Sequence, residues 1–93
     1  MKAVWKGKVI AASDETRVVE NNHYFPEDSV NKDFLKLTNH HTFCPWKGQA
    51  SYYHIEDLDL KTEYGAWFYQ SPKDAASDIK NYIAFGEEVE VTE

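Results

Sequence analysis

The chain has 93 residues, of which 42% are hydrophobic and 15% aromatic, and a formal charge of −6. That length holds one domain, residues 1–93, and excludes a second, because a single core occupies roughly 100–200 residues. The aromatic content excludes disorder, and ten basic against sixteen acidic side chains argue against nucleic-acid binding.

The charge is uneven. Residues 1–48 carry seven basic and six acidic side chains, whereas residues 49–93 carry three and ten. Cys44 is the only cysteine, so no intrachain disulfide forms and a reducing, cytoplasmic location is expected. No apolar run reaches the length of a signal peptide or a membrane-spanning helix, so no membrane partner is expected.

In chain order, Val4-Trp5 and Val9-Ile10-Ala11 flank Lys6-Gly7-Lys8, the pattern of a hairpin with Gly7 at positive φ. A third strand is expected through Arg17-Val18-Val19-Glu20, broken at Asn21-Asn22 and resumed at His23-Tyr24-Phe25, which makes a β-meander. Pro26-Glu27-Asp28 has the form of a helix start and predicts one or two short helical turns. Thr38-Asn39-His40-His41 reads as a polar connection. Strands are expected through Thr42-Phe43-Cys44, Gln49 to Ile55 and Gly65 to Tyr69, with an acidic turn over Glu56–Lys61. Ser71-Pro72-Lys73-Asp74 resembles a capped helix start, and Ala75, Ala76, Ile79, Tyr82 and Ile83 recur at the spacing of a buried helix face. Val89 and Val91 alternate with Glu88 and Glu90 in a final strand. The fold class expected is mainly β, of the α+β kind, with one C-terminal helix.

Chemistry concentrates between Phe43 and Tyr69, where eight of 27 residues are aromatic. Such rings fill a core or line a pocket for a planar or cationic ligand. Within this stretch, Cys44-Pro45-Trp46-Lys47-Gly48 predicts a tight bend projecting Trp46 and Lys47. A thiol near a lysine is a candidate nucleophile or redox group, with His23, His40, His41 and His54 as possible bases. His40, His41 and Cys44 lack the paired spacing of a zinc site, so no metal is expected. Asp57-Leu58-Asp59 sits in the acidic turn with no phosphate-binding glycine loop beside it, and reads as a solvated turn.

Several segments together resemble one family. They are Lys2-Ala3-Val4-Trp5-Lys6-Gly7, Asp14-Glu15-Thr16 and Glu20-Asn21-Asn22-His23-Tyr24-Phe25-Pro26. Further along come Cys44-Pro45-Trp46-Lys47-Gly48, Ser51-Tyr52-Tyr53, Ala66-Trp67-Phe68-Tyr69 with Pro72, and Ile83-Ala84-Phe85. In this order they are similar to the family called domain of unknown function 427, over essentially the whole chain. Thr38, where a serine is expected, and Gly65 are departures from its pattern. The resemblance implies a β-tent-like pair of antiparallel sheets with the late helix packed alongside. It also brings the label nucleotidyltransferase-like, although the sequence lacks paired carboxylates on a strand beside a glycine-serine turn.

The function expected first is a module that binds a small molecule, a peptide or a modified residue in an aromatic pocket of Tyr24, Trp46, Tyr52, Trp67 and Tyr69. Lys47 or His23 would be its polar handle, and no cofactor is called for. One alternative is an enzyme with Cys44 as nucleophile, His23 or another histidine as base, and Lys47 stabilising an anion. The other alternative is nucleotidyl transfer.

Overall fold

A computed structural model describes all 93 residues. Strands account for 59% of them and helical turns for 13%, arranged as three antiparallel sheets. The first two strands, β1 (Lys2–Trp5) and β2 (Lys8–Ala12), form a hairpin whose two-residue turn places Lys6 at φ 51 and Gly7 at φ 79. A turn with both central residues left-handed matches the twist of the flanking strands. β1 pairs on its other side with the last strand, β9 (Val89–Thr92), so the chain ends close a three-stranded sheet.

The expected meander stops after β2. The strands β3 (Arg17–Val19) and β4 (Asn22–Tyr24) pair only with each other, again through a tight turn, with Glu20 at φ 52 and Asn21 at φ 67. Two 3-10 turns follow, Glu27–Ser29 and Lys32–Phe34. Four strands then make the largest sheet: β5 (Leu35–Cys44), β6 (Gly48–Asp57), β7 (Leu60–Phe68) and β8 (Ile83–Phe85), in that order. The segment Thr38–His41 lies within β5 and is no connection; its register against β6 shifts between Leu37 and His41.

This sheet separates two cores, because successive strand residues face opposite ways. Ile83 and Phe85 of β8 pack with Trp5, Ile10, Phe25, Ile55 and Val89, filling the space towards the three-stranded sheet. Ala84 between them packs instead with Tyr24, Ala50, Tyr69, Ala76 and Ile79. Each large side chain buried this way contributes about 1.5–3 kcal/mol. The indole of Trp5 is wholly buried, and its N–H donates to Thr62 Oγ1 at 2.8 Å.

Two expectations about architecture are overturned. The sheets number three, not a tent-like pair, and no helix reaches seven residues, so the C-terminal helix does not exist. Residues Asp74–Ile79 form 3-10 turns interrupted at Ala76, whose φ is −123. Long-range bonds outcompete the helix. The Lys73 N–H donates to the Lys47 carbonyl, the Asn81 N–H to the Tyr69 carbonyl, and Ile83 exchanges two hydrogen bonds with Phe25. Ile83 therefore belongs to the sheet, and a helical stripe through Ala75, Ile79 and Ile83 cannot close. No helix of the chain is long and apolar enough to cross a membrane.

Candidate functional site

Cys44 and Gly48 face each other across the ends of β5 and β6, leaving Pro45, Trp46 and Lys47 as the turn. Gly48 closes it at φ 107, a value that side chains rarely adopt. The loop after Tyr69 pins this turn from outside. Besides the bond to the Lys47 carbonyl at 2.9 Å, Lys73 Nζ donates to the Pro45 carbonyl at 2.6 Å.

Held so, the turn sends Trp46 outward as expected, but Lys47, expected to project with it, turns inward. The Lys47 side chain is only 7% exposed, and its ammonium donates to Glu20 Oε1 in the β3–β4 turn. It also lies 5.1 Å from the centre of the Trp46 ring and 5.6 Å from that of Tyr69, within cation–π range. Burial works against the charge on Lys47. The Glu20 hydrogen bond and the fields of Tyr24, Tyr69 and Cys44 outweigh it, so the pKa of Lys47 lies above the ordinary lysine value. Reciprocally, Lys47 first and the Trp46 indole N–H second hold Glu20 below the usual carboxylate range. The Trp46 contact is long, 3.4 Å from Nε1 to Oε2.

The rings behind Lys47 form a packed wall. Tyr24 and Tyr69 are buried with centroids 6.5 Å apart, and the Trp67 N–H donates to the Tyr24 hydroxyl at 3.2 Å. Tyr52 leans on Trp67 at 6.3 Å, and half-buried Cys44 packs against the same cluster. Burial pushes the Tyr69 phenol up to about 12 and raises Tyr24 as well.

Five of the residues singled out in the sequence (Tyr24, Cys44, Trp46, Trp67 and Tyr69) thus cluster with a sixth, Lys47, whose ammonium is buried, and Tyr52 leans on Trp67 beside them. His23 does not join them: its Nδ1 meets Thr16 Oγ1 at 3.1 Å, and it opens with Trp67 onto a separate hollow of about 430 Å³. The rings interlock instead of enclosing a pocket; of five surface hollows, none is lined by Tyr24, Cys44, Trp46, Lys47, Tyr52 or Tyr69. No histidine hydrogen-bonds Cys44, since His41 meets Ser51 Oγ and His54 meets the Tyr64 N–H. Asp57 pairs with Lys8 at the β6–β7 hairpin.

Glu20 is the residue that sequence reasoning missed. It reads there as the end of a strand before Asn21-Asn22, and the signals that single it out are the left-handed turn and its place at the head of the family-like segment Glu20–Pro26. No curated protein matches this chain. The family described as domain of unknown function (DUF427) matches residues 1–93, the full length that carries the Lys47 turn and its aromatic wall, and the chain belongs to that family.

Proposed function

We propose that this domain is a small-molecule-binding module whose ligand presents a carboxylate to Lys47. The observation that carries this reading is the burial of Lys47 itself. Withdrawing an ammonium from water costs several kcal/mol, and a purely structural turn would be served as well by an apolar side chain. Glu20 offsets that cost in the free protein, from a left-handed backbone position and with 54% of its side chain exposed. A residue placed there can swing into water when another carboxylate takes its place. Strained, half-exposed residues of this kind concentrate at binding sites.

The ligand enters where Glu20 and Trp46 meet solvent, so the site is a surface cleft opened by exchange and not a preformed aromatic cavity. In this reading Lys47 anchors the charge and Trp46, 39% exposed, offers its ring face to the apolar part of the ligand. Tyr69 lies under the ammonium, and Tyr24, Tyr52 and Trp67 support it. Benzoate is the simplest probe. It should raise the melting temperature saturably, and more strongly in Glu20→Gln, where the internal competitor is gone. Lys47→Met should abolish the effect. Equal benzoate stabilisation in Lys47→Met, or none in any of the three proteins, would defeat the reading.

A further inference from the structure

A second cluster lies on the exposed side of β5, β6 and β7, joined to the wall behind Lys47 through Tyr52. The Tyr64 ring is flanked by two imidazoles, His40 and His54, each with its centroid 4.7 Å away. Tyr52 extends the cluster, its ring 4.9 Å from His40 and tilted 56° to it. Tyr64 holds this position at φ 53, uncommon for a bulky aromatic residue. The neighbouring Gly65 cannot relieve it by exchange of places. A Cβ on Gly65 would stand 2.7 Å from Ile55 Cδ1 and 2.9 Å from Thr62 Cγ2, so the glycine is committed to the core. Tyr64 lies in a β-bulge, where the register of β7 against β6 shifts between Tyr53 and Ile55, and the bulge aims its exposed ring between the two histidines.

Beside these rings is a hollow of about 470 Å³, within the size range of small-ligand sites. Its ionisable walls are Lys36, His40, His54 and Tyr64, with Thr38 and Asn39 between them; no carboxylate lines it, although the chain carries a charge of −6. His54 Nδ1 accepts the Tyr64 N–H at 3.0 Å, so the neutral ring carries its proton on Nε2 and has a donor left for a ligand. The Lys36 ammonium and the His54 Nε2–H donor beside the exposed Tyr64 and His40 rings select a planar ring bearing an anion.

We infer that this hollow binds a small aromatic phosphate ester, its ring laid against the solvent-facing sides of Tyr64 and His40 and its phosphate held by Lys36 and the His54 Nε2–H. The inference is independent of the Lys47 reading. Phenyl phosphate is the probe, with phenol and inorganic phosphate as separate arms, followed through the histidine ring resonances by NMR. Phenyl phosphate should move the His40 and His54 signals saturably, at concentrations at least tenfold lower than either fragment needs. Lys36→Gln and His40→Gln, both at exposed positions, should each weaken binding at least fivefold, and Lys47→Met should leave it unchanged. The inference is overturned if the shifts do not saturate, if phenol or phosphate alone does as well, or if both glutamine variants bind like the parent.

Discussion

Glu20 and Lys47, 27 positions apart in the chain, form an ion pair in which the cation is buried and the anion faces water. The asymmetry dictates how the pair responds to pH. Glu20 has its pKa lowered in the folded state, so its contribution is complete above the ordinary carboxylate value of about 4.3 and is lost as pH falls through the lowered one. Lys47 has its pKa raised, so its contribution holds below about 10.4 and is lost as pH rises past the folded value.

Lys47→Met should therefore flatten the acid limb of stability. At neutral pH the variant should stay close to the parent in stability, because an apolar side chain of similar volume removes the buried ammonium and Glu20 is free to turn into water. Thermal melts at pH 7 and pH 3 check this: the drop in melting temperature should be smaller in Lys47→Met than in the parent. Identical drops would mean that the pair contributes nothing to acid stability.

The phenols give an alkaline counterpart. Tyr24, Tyr53 and Tyr69 all have raised pKa values, burial being the main cause in each, and Tyr69 reaches about 12. Between about pH 10 and 12 the unfolded chain loses these protons while the folded chain retains them, so stability falls as pH rises. Absorbance titration near 295 nm should show part of the six-tyrosine amplitude delayed until the protein unfolds. A single reversible step near pH 10 accounting for all six would contradict the burial of these rings.

Thr62→Val should destabilise the protein by about 1–3 kcal/mol, because it keeps the side-chain shape but leaves the buried Trp5 N–H without an acceptor. Urea unfolding followed by circular dichroism measures this. Thr62→Ser, which retains the hydroxyl, should recover the hydrogen-bonding part of the loss.

Leu58 offers the opposite sign. It is 95% exposed in the β6–β7 turn and sits at φ 55, so it combines left-handed strain with no packing in return. Leu58→Asn should stabilise by roughly 0.5–1 kcal/mol, since asparagine tolerates that conformation with a lower penalty. Gly65→Ala should destabilise, because the added methyl meets Ile55 and Thr62 at less than contact distance. Equilibrium unfolding of the two variants should move in opposite directions.

The sequence by itself carried the local features: the Lys6-Gly7 turn, the alternation that becomes β9, and the bend from Cys44 to Gly48, from which Trp46 projects as expected while Lys47 turns inward. These depend on backbone preferences and side-chain period within a few residues, which neighbouring letters report directly. Tertiary structure decided the rest. Ala75, Ile79 and Ile83 have helical spacing, yet pairing of Ile83 with Phe25 and β7 makes a continuous helix impossible. Aromatic content is equally consistent with a pocket and a wall, and only the mutual packing of Tyr24, Tyr69 and Trp67 selects the wall. Glu20 and Tyr64 lie with these tertiary features: each sits at positive φ and takes its role from a partner strand or turn. Hydrogen bonds and charge pairs act through space, so the groups that complete a site are set by which chain segments fold together, not by spacing along the chain.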